Sequence, residues 1–397
     1  MLKNVNFKYL LLGRTMSNLG DSIYYIALSW YIMQVTDSGL WLGVFNFAIF
    51  IPNALSFLIG PYIDKYNKRM LLIICEWGQL LPILALTLIV FNGIENPYII
   101  CIIVATASFF GMNTYTIQDA FIPKLVSKKD LAHAQMYMSF SYNAVDYVFN
   151  ALTGIMLKYL SLLYLLMIDV FALMIAIITF SKINYKEKLP KILTTEKNKT
   201  VFLGFKYIFS EKSILKLTLG GALVNFCFGG LSIYQVIIAN DQNSPILYGF
   251  IMSSMAIGTL IGSTIASKIV LSKYTIGRIQ VFATLFFGVT LLASALFVSS
   301  KFIIVSLAIS FIFLGVTHVS NKPFYQILIP EQHLGKVFST KASISIITMP
   351  LGSLFFGWLS LYINPNIFFI LFGSSYCFIG IVYLLDSKIR DFSLNDN

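Results

Sequence analysis

Acidic residues inside long apolar stretches have the clearest chemical potential in this sequence. Asp21, Asp146 and Asp169 each lie near the middle of such a stretch, and Glu76 lies one or two helical turns from the end of another. An ionised side chain in a lipid-spanning helix costs about 2.5 kcal/mol or more, so each acid needs a partner, a wet cavity or a function. Because removal from water favours the neutral form of a carboxyl group, these residues are candidates for proton exchange.

A few other polar residues share these stretches. Arg14 lies at a depth comparable to that of Glu76, and we favour the interpretation that these two residues neutralise each other or anchor helix ends. Arg14 also precedes Asp21 by two helical turns, so the alternative for Asp21 is a salt bridge with Arg14. For Asp169 we favour a structural, hydrogen-bonded acid. Arg14 is the only intramembrane base that we identify. The second half has no acid in the middle of a stretch, and its polar candidates are Gln235 and His318.

Enzymatic chemistry has no support in the sequence. The four cysteines and three histidines show no metal-ligand spacing, and no glycine-rich nucleotide loop or nucleophile with an adjacent base is evident. We therefore expect neither an enzyme nor a bound metal, and no cofactor apart from a proton gradient as the energy source. The net charge of +11 comes from basic residues between the apolar stretches, so nucleic acid is not an expected partner.

The composition is that of an integral membrane protein, with 57% hydrophobic and 11% charged residues and a mean hydropathy of +0.80. Apolar runs of about 18 to 25 residues match a hydrocarbon core of roughly 30 Å as helices. We predict an all-α protein with twelve transmembrane helices arranged as two six-helix halves. The predicted spans are 9–33, 40–63, 70–91, 97–120, 135–157, 160–181, 214–239, 246–269, 276–298, 302–326, 337–361 and 365–386.

The distribution of basic residues predicts the orientation. With the amino terminus inside, the cytoplasmic segments carry Lys3 and Lys8; Lys65, Lys68 and Arg69; Lys124, Lys128 and Lys129; eight lysines from Lys182 to Lys212; Lys268 and Lys273; Lys336; and Lys388 and Arg390. Only Lys158 and Lys301 fall on the other side. The positive-inside rule then predicts a multi-pass protein of the plasma membrane with both termini cytoplasmic.

The chain also divides into related halves. We predict an N-terminal six-helix bundle at 1–181, a basic cytoplasmic linker at 182–212 and a C-terminal bundle at 213–397. Ser38 and Gly43 at the start of span two recur 206 residues later as Ser244 and Gly249. The dipeptide Ile122-Pro123 recurs 207 residues later as Ile329-Pro330. Two motifs that recur after nearly the same number of residues indicate a duplicated six-helix unit.

A charged turn at residues 60–72 separates spans two and three. Its pattern of Gly60, Asp64, Lys65, Lys68 and Arg69 resembles the loop between helices two and three of the major facilitator superfamily of secondary transporters. The resemblance implies that this turn is a conformational latch, which stabilises the outward-open state by closing the cytoplasmic side. Asn67 departs from the pattern, because that family usually has glycine there.

Further segments are similar to one branch of the superfamily, which contains macrolide-efflux proteins and enterobactin-type siderophore exporters. They are Asn18-Leu-Gly20-Asp21, Phe121-Ile-Pro123, Gly335-Lys336-Val337-Phe338 and Pro350-Leu-Gly352. The superfamily architecture implies that span one lines the central cavity, which makes Asp21 the first candidate to face substrate and Asp146 the second. No base occurs between Arg69 and Lys124, and Asn150-Ala-Leu-Thr-Gly154 lacks the antiporter proline, so we do not expect the family's usual proton relay.

The resemblance and the buried acids together predict a secondary active exporter of amphipathic small molecules, cationic ones included, by proton antiport and alternating access. The alternative is a dedicated exporter of one endogenous metabolite such as a siderophore. The expected partners are a small-molecule substrate, protons and the lipid bilayer, and we expect a monomer.

The latch assignment predicts that Asp64→Ala slows turnover while substrate binding is preserved, because the variant loses a contact that stabilises one end state of the cycle. Turnover in proteoliposomes and equilibrium binding to the purified protein measure the two quantities separately. Unchanged transport would remove the latch assignment.

Overall fold

The computed structural model describes residues 4–54, 63, 65–185, 205–266, 275–329 and 331–393. These residues contain no β-strand. The long helices are α1 (Val5–Thr36), α2 (Gly39–Ala54), α3 (Lys68–Phe91), α4 (Pro97–Leu125), α5 (Leu131–Tyr159), α6 (Leu162–Ser181), α7 (Lys212–Asp241), α8 (Pro245–Ile265), α9 (Ile276–Ser294), α10 (Ile303–Leu328), α11 (Glu331–Leu359) and α12 (Pro365–Leu385). The four-residue helix α13 (Ser387–Arg390) follows α12.

The predicted all-α membrane fold is confirmed. Within the described ranges, nine helices are long and apolar enough to cross a membrane, and α2 is a shorter apolar helix. The remaining two, α1 and α5, have 32 and 29 residues and carry much of the polar chemistry predicted from the sequence. The twelve long helices fit the twelve predicted spans.

Asparagine side chains cap the amino-terminal ends of three helices in the first half. Asn4 accepts a hydrogen bond from the backbone of Phe7, Asn96 accepts bonds from the first turn of α4, and Asn67 accepts one of 3.2 Å from the Met70 amide. Such caps satisfy amides that have no partner within the helix. The asparagine that departs from the family pattern at position 67 is thus the N-cap of α3.

The chain divides into two compact units, one formed by Met1–Thr194 with Asn243–Gly249 and the other by Thr195–Gln242 with Phe250–Asn397. One boundary falls in the predicted linker, of which residues 186–204 lie outside the described ranges, whereas Asn243–Gly249, predicted as part of the second bundle, groups with the first unit. In the first unit, α1 packs on α5 and α6, and α3 packs on α4 and α6. In the second, α7 packs on α11 and α12, and α9 packs on α10 and α12. A duplicated six-helix unit requires this recurrence of helix pairs.

Close contact between α7 and α11 depends on a glycine that the sequence analysis singled out. A Cβ atom at Gly352 would lie 1.9 Å from the carbonyl oxygen of Phe226. No side chain larger than hydrogen fits there without separating the two helices. Gly352 therefore has a packing role.

The charged turn is described only in part, because Gly60 and Asp64 lie outside the described residues. Lys65 is exposed, whereas Lys68 is buried at the start of α3. The Arg69 guanidinium donates a hydrogen bond to the carbonyl oxygen of Ser181, the last residue of α6. A cation at a helix carboxyl end satisfies a free carbonyl and interacts favourably with the helix dipole. The described part of the turn therefore fastens α3 to α6.

Asp386 fastens the end of α12 to the start of α7. Its carboxylate lies 2.7 Å from the Lys216 ammonium, accepts hydrogen bonds from Ser213, and caps α13 through the Ile389 amide. Partial burial acts to raise the pKa of Asp386, but the hydrogen bond and charge of Lys216, with the other donors, hold it below the usual value. A lowered pKa in the folded state means that the ionised carboxylate stabilises the fold.

We expect Asp386→Asn to lower the thermal midpoint of the purified protein by about 2 to 4 °C, as for a loss of about 1 kcal/mol. The stabilisation is present above the unfolded pKa of about 3.9 and disappears as the pH falls through the lower folded value. The difference between wild type and variant should therefore be full at neutral pH and shrink in acid.

Asp391→Asn is the matched control, because Asp391 pairs with Arg390 in the same tail but both side chains are exposed. Exposed pairs contribute little, so its midpoint should match that of wild type. Equal midpoints for all three proteins at neutral pH would contradict a stabilising role for Asp386.

Candidate functional site

A fully buried arginine lies at the centre of the polar cluster in the first unit. The Arg14 guanidinium carbon, from α1, is 3.3 Å from the ring centroid of Tyr115 on α4 and 4.9 Å from that of Tyr142 on α5. Aromatic faces attract a cation electrostatically, and the attraction is strongest where water is excluded. Stacking on two tyrosines compensates part of the cost of burying this charge.

Asn18 connects Arg14 to Asp146. Its amide nitrogen donates to the Tyr142 carbonyl oxygen at 3.2 Å and to Asp146 Oδ1 at 3.1 Å. Its amide oxygen accepts from the Tyr115 hydroxyl at 2.7 Å and from Arg14 Nη2 at 3.5 Å. One buried side chain therefore joins α1, α4 and α5.

Asp146 and Asp21 are half-buried, and each carboxylate accepts hydrogen bonds from uncharged side chains. Asp146 Oδ1 accepts a hydrogen bond of 2.5 Å from Ser22 in addition to that from Asn18. Asp21 Oδ1 accepts one of 2.5 Å from the side-chain amide of Gln79 on α3. Asp21 and Arg14 form no ion pair, so the expected alternative of a salt bridge between them is wrong. Because the donors Asn18, Ser22 and Gln79 are uncharged, their hydrogen bonds do not neutralise the negative charge of an ionised Asp21 or Asp146.

The other two acids are fully buried. Neither carboxylate oxygen of Glu76 or of Asp169 has a hydrogen-bond partner in the part of the chain that the structure describes. Arg14 and Glu76 form no direct ion pair, and the expectation that they neutralise each other or anchor helix ends stays a prediction. The expectation that Asp169 is hydrogen-bonded is wrong. Its carboxylate instead packs against α1, where a Cβ atom at Gly20 would lie 2.2 Å from Asp169 Oδ1.

The candidates in the second unit lie on different helices. Gln235 on α7 is 4% exposed and its amide oxygen has no partner, whereas His318 on α10 is exposed. Sequence reasoning missed a second base, Lys341, which lies at the start of the apolar part of α11. Its ammonium nitrogen is 3.6 Å from the ring centroid of Tyr325 on α10. Arg14 is therefore not the only intramembrane base.

Sequence reasoning also missed the uncharged side chains that other helices contribute to the first cluster, namely Gln79, Tyr115 and Tyr142. Arg14, Asn18, Asp21 and Ser22 recur at helical spacing, a signal that places them on adjoining faces of α1. Tyr115, Tyr142 and Gln79 come from three other helices and are three of many polar and aromatic residues in the spans. Only the packing of α1 against its neighbours selects them.

Two units of packed helices, with ionisable residues inside membrane-spanning helices of both, are the architecture of a secondary transporter. The sequence matches the Major Facilitator Superfamily over residues 10–340, and the chain belongs to that family.

Two curated relatives match almost the full length. Macrolide efflux protein A of Streptococcus pyogenes is 25% identical over 397 residues, with 96% of each chain covered. The staphyloferrin A transporter of Staphylococcus aureus strain NCTC 8325 / PS 47 is 23% identical, with 96% of this chain and 97% of the relative covered. Both matches agree with the branch of the superfamily that the sequence segments resemble.

Solved structures share the fold at lower identity. A bacterial homologue of the iron transporter ferroportin in an inward-facing state has a TM-score of 0.75 and 17% identity, over 97% of this chain and 98% of that one. The nucleoside transporter NupG has a TM-score of 0.71 and 14% identity, over 96% and 98% of the two chains. These similarities establish the fold alone.

The contact between Gly20 and Asp169 generates a test of the cluster. Gly20→Ala should destabilise the protein by about 2 kcal/mol, because the added methyl group overlaps a carboxylate that is fully buried. Thermal unfolding of the purified protein measures the effect. Removing the overlapping carboxylate in the double variant Gly20→Ala/Asp169→Ala should recover part of the loss.

Gly221→Ala is the matched control, since a Cβ atom at this helical glycine meets nothing within 4 Å. It should leave stability unchanged or raise it by up to about 1 kcal/mol, because alanine favours the helix. A Gly20→Ala protein as stable as wild type would contradict the described packing of α1 on α6.

Proposed function

We propose that this protein is a secondary active exporter that moves amphipathic small molecules, cationic ones included, out of the cell in exchange for protons. The observation that supports it best is the imbalance of charge within the first unit. Asp21, Glu76, Asp146 and Asp169 lie inside its helices, away from the first and last turns, and Arg14 is the one base at such a position among the described residues. The other lysines and arginines of these helices lie in their first or last turns. Family membership supports transport, and the buried acids support protons as the coupling ion.

The imbalance implies bound protons. Each uncompensated charge in a low-polarity interior costs several kcal/mol, so four ionised acids cannot be balanced by one guanidinium. Glu76 and Asp169 are fully buried without donors, which favours their neutral forms. Asp21 and Asp146 are partly accessible and have donors that stabilise an ionised carboxylate. These two are the proposed exchange sites.

Through Asn18, proton binding at Asp146 can change the contacts between helices. When Asp146 takes up a proton, the Asn18 and Ser22 donors lose the charge that holds them. Asn18 is then less firmly held between Arg14, Tyr115 and Tyr142. A cationic substrate competes with the proton for the same carboxylates, which couples its exit to proton entry. Alternating access of the two halves completes the cycle.

A second candidate is a dedicated exporter of one endogenous metabolite such as a siderophore. The observation that favours it is the full-length similarity to the staphyloferrin A transporter. A dedicated exporter would not move a general cationic dye, so the experiment below separates the two candidates.

The first proposal predicts that wild-type protein in proteoliposomes moves ethidium faster when a pH gradient is imposed. Asp21→Asn and Asp146→Asn should each reduce transport to the rate without a gradient, because asparagine cannot exchange a proton. Ethidium fluorescence on entrapped DNA measures the rate. Glu95→Gln is the matched control, since it removes an exposed acid between α3 and α4, and it should retain full stimulation.

Stimulation by the gradient in wild type and in both asparagine variants alike would remove Asp21 and Asp146 from the coupling site. Ethidium transport without stimulation in wild type would remove proton coupling. A folded wild-type protein that moves no ethidium would favour the dedicated exporter.

A further inference from the structure

We infer that Lys341, seated on Tyr325, forms a binding site for the carboxylate group of a transported amphipathic molecule. The inference rests on the proposed export function and names a chemical feature of the substrate. The site lies wholly within the second unit, between α10 and α11.

The position of the ammonium group argues against a lysine that merely reaches for the membrane surface. A lysine near the end of a span ordinarily extends its amine toward the lipid headgroups. Here the nitrogen lies 3.6 Å from the centroid of the Tyr325 ring, and Tyr325 is fully buried. The amine is therefore turned into the helix bundle, and the side chain remains half-buried.

The charge of Lys341 has no acidic partner among the described residues. Lys216 in the same unit shows the contrast, since its amine lies 2.7 Å from the carboxylate of Asp386. A half-buried cation without a carboxylate is costly, and cation–π contact offsets only about 0.5 to 2 kcal/mol of that cost. An anion brought by the substrate would complete the pair.

Neighbouring side chains extend the site in a way that suits an amphipathic anion. His318, Asn321 and Tyr325 recur along α10 at spacings of three and four residues, so they lie on one helix face. His318 is exposed and Asn321 half-buried, and both can donate hydrogen bonds. Phe338 lies beside Tyr325 with ring centroids 5.8 Å apart, which adds apolar surface. Carboxylate is the anion that we assign, with an apolar body packed on these rings.

Dansylglycine is a fluorescent amphipathic carboxylate, and its amide, dansylglycinamide, is the same molecule without the charge. Binding of each is measured by fluorescence anisotropy to protein in phosphatidylcholine nanodiscs, with empty nanodiscs subtracted. We expect wild type to bind dansylglycine more tightly than the amide. Lys341→Gln should weaken dansylglycine binding by about tenfold or more, because a charged hydrogen bond is lost, and leave the amide unchanged.

Lys341→Arg keeps the charge and should stay within about threefold of wild type, which distinguishes loss of the cation from loss of folding. Lys301→Gln removes an exposed lysine before α10 and is the matched control. Equal affinity of wild type and Lys341→Gln for dansylglycine would overturn the inference, as would a wild-type protein that does not distinguish the acid from its amide.

The anionic group could instead belong to a lipid, so a second series adds phosphatidylglycerol to the nanodiscs. Unchanged dansylglycine binding supports a soluble carboxylate, and its loss in wild type overturns that assignment in favour of a lipid headgroup. All measurements are made without a pH gradient. Absence of proton-driven ethidium transport would therefore leave this result standing, and the two proposals fail separately.

Discussion

The cost of charge in a membrane interior governs the first unit of this protein. The Arg14 guanidinium and four carboxyl groups that are at least half-buried lie inside its helices, away from their ends, where each unbalanced charge costs several kcal/mol. The protein places Arg14 on the faces of two tyrosines and gives Asp21 and Asp146 uncharged donors. Among the described residues, no donor reaches the carboxylates of Glu76 and Asp169. Such an arrangement is stable when most of the acids carry protons, which is also what exchange with a proton gradient requires.

Asn18 links the charge state of Asp146 to the packing of the helices around it. Its side chain touches Arg14, Tyr115, Tyr142 and Asp146, which belong to three helices. A change in the charge of Asp146 alters what Asn18 can accept and donate, and therefore alters the contacts between α1, α4 and α5. Buried polar networks respond as a unit, because a broken hydrogen bond inside a protein is not replaced by water.

The two units share helix packing but differ in their polar chemistry. Corresponding helix pairs pack together in both, while the acids lie in the spans of the first unit and the inward-turned amine of Lys341 lies in the second. Packing of this kind depends on small residues at contacts, such as Gly20 and Gly352, and not on ionisable groups. Ionisable positions can therefore diverge between the halves without loss of the fold.

Hydropathy and charge along the chain were enough to predict the membrane class, the helical fold and the approximate spans. Hydrophobic length and the positions of lysine and arginine act locally along the chain, so they can be read in one dimension. The sequence also placed Arg14, Asn18 and Asp21 on one stretch of α1, and the segments around Asp64 and Pro350 indicated the family. The tertiary structure alone decided which side chains from other helices meet them. In the structure, Asp21 accepts a hydrogen bond from Gln79 and forms no ion pair with Arg14. Asp169 has no hydrogen-bond donor among the described residues, and the Lys341 amine lies against the buried ring of Tyr325. These outcomes depend on the rotation of each helix about its axis, which packing against neighbouring helices fixes and hydropathy does not.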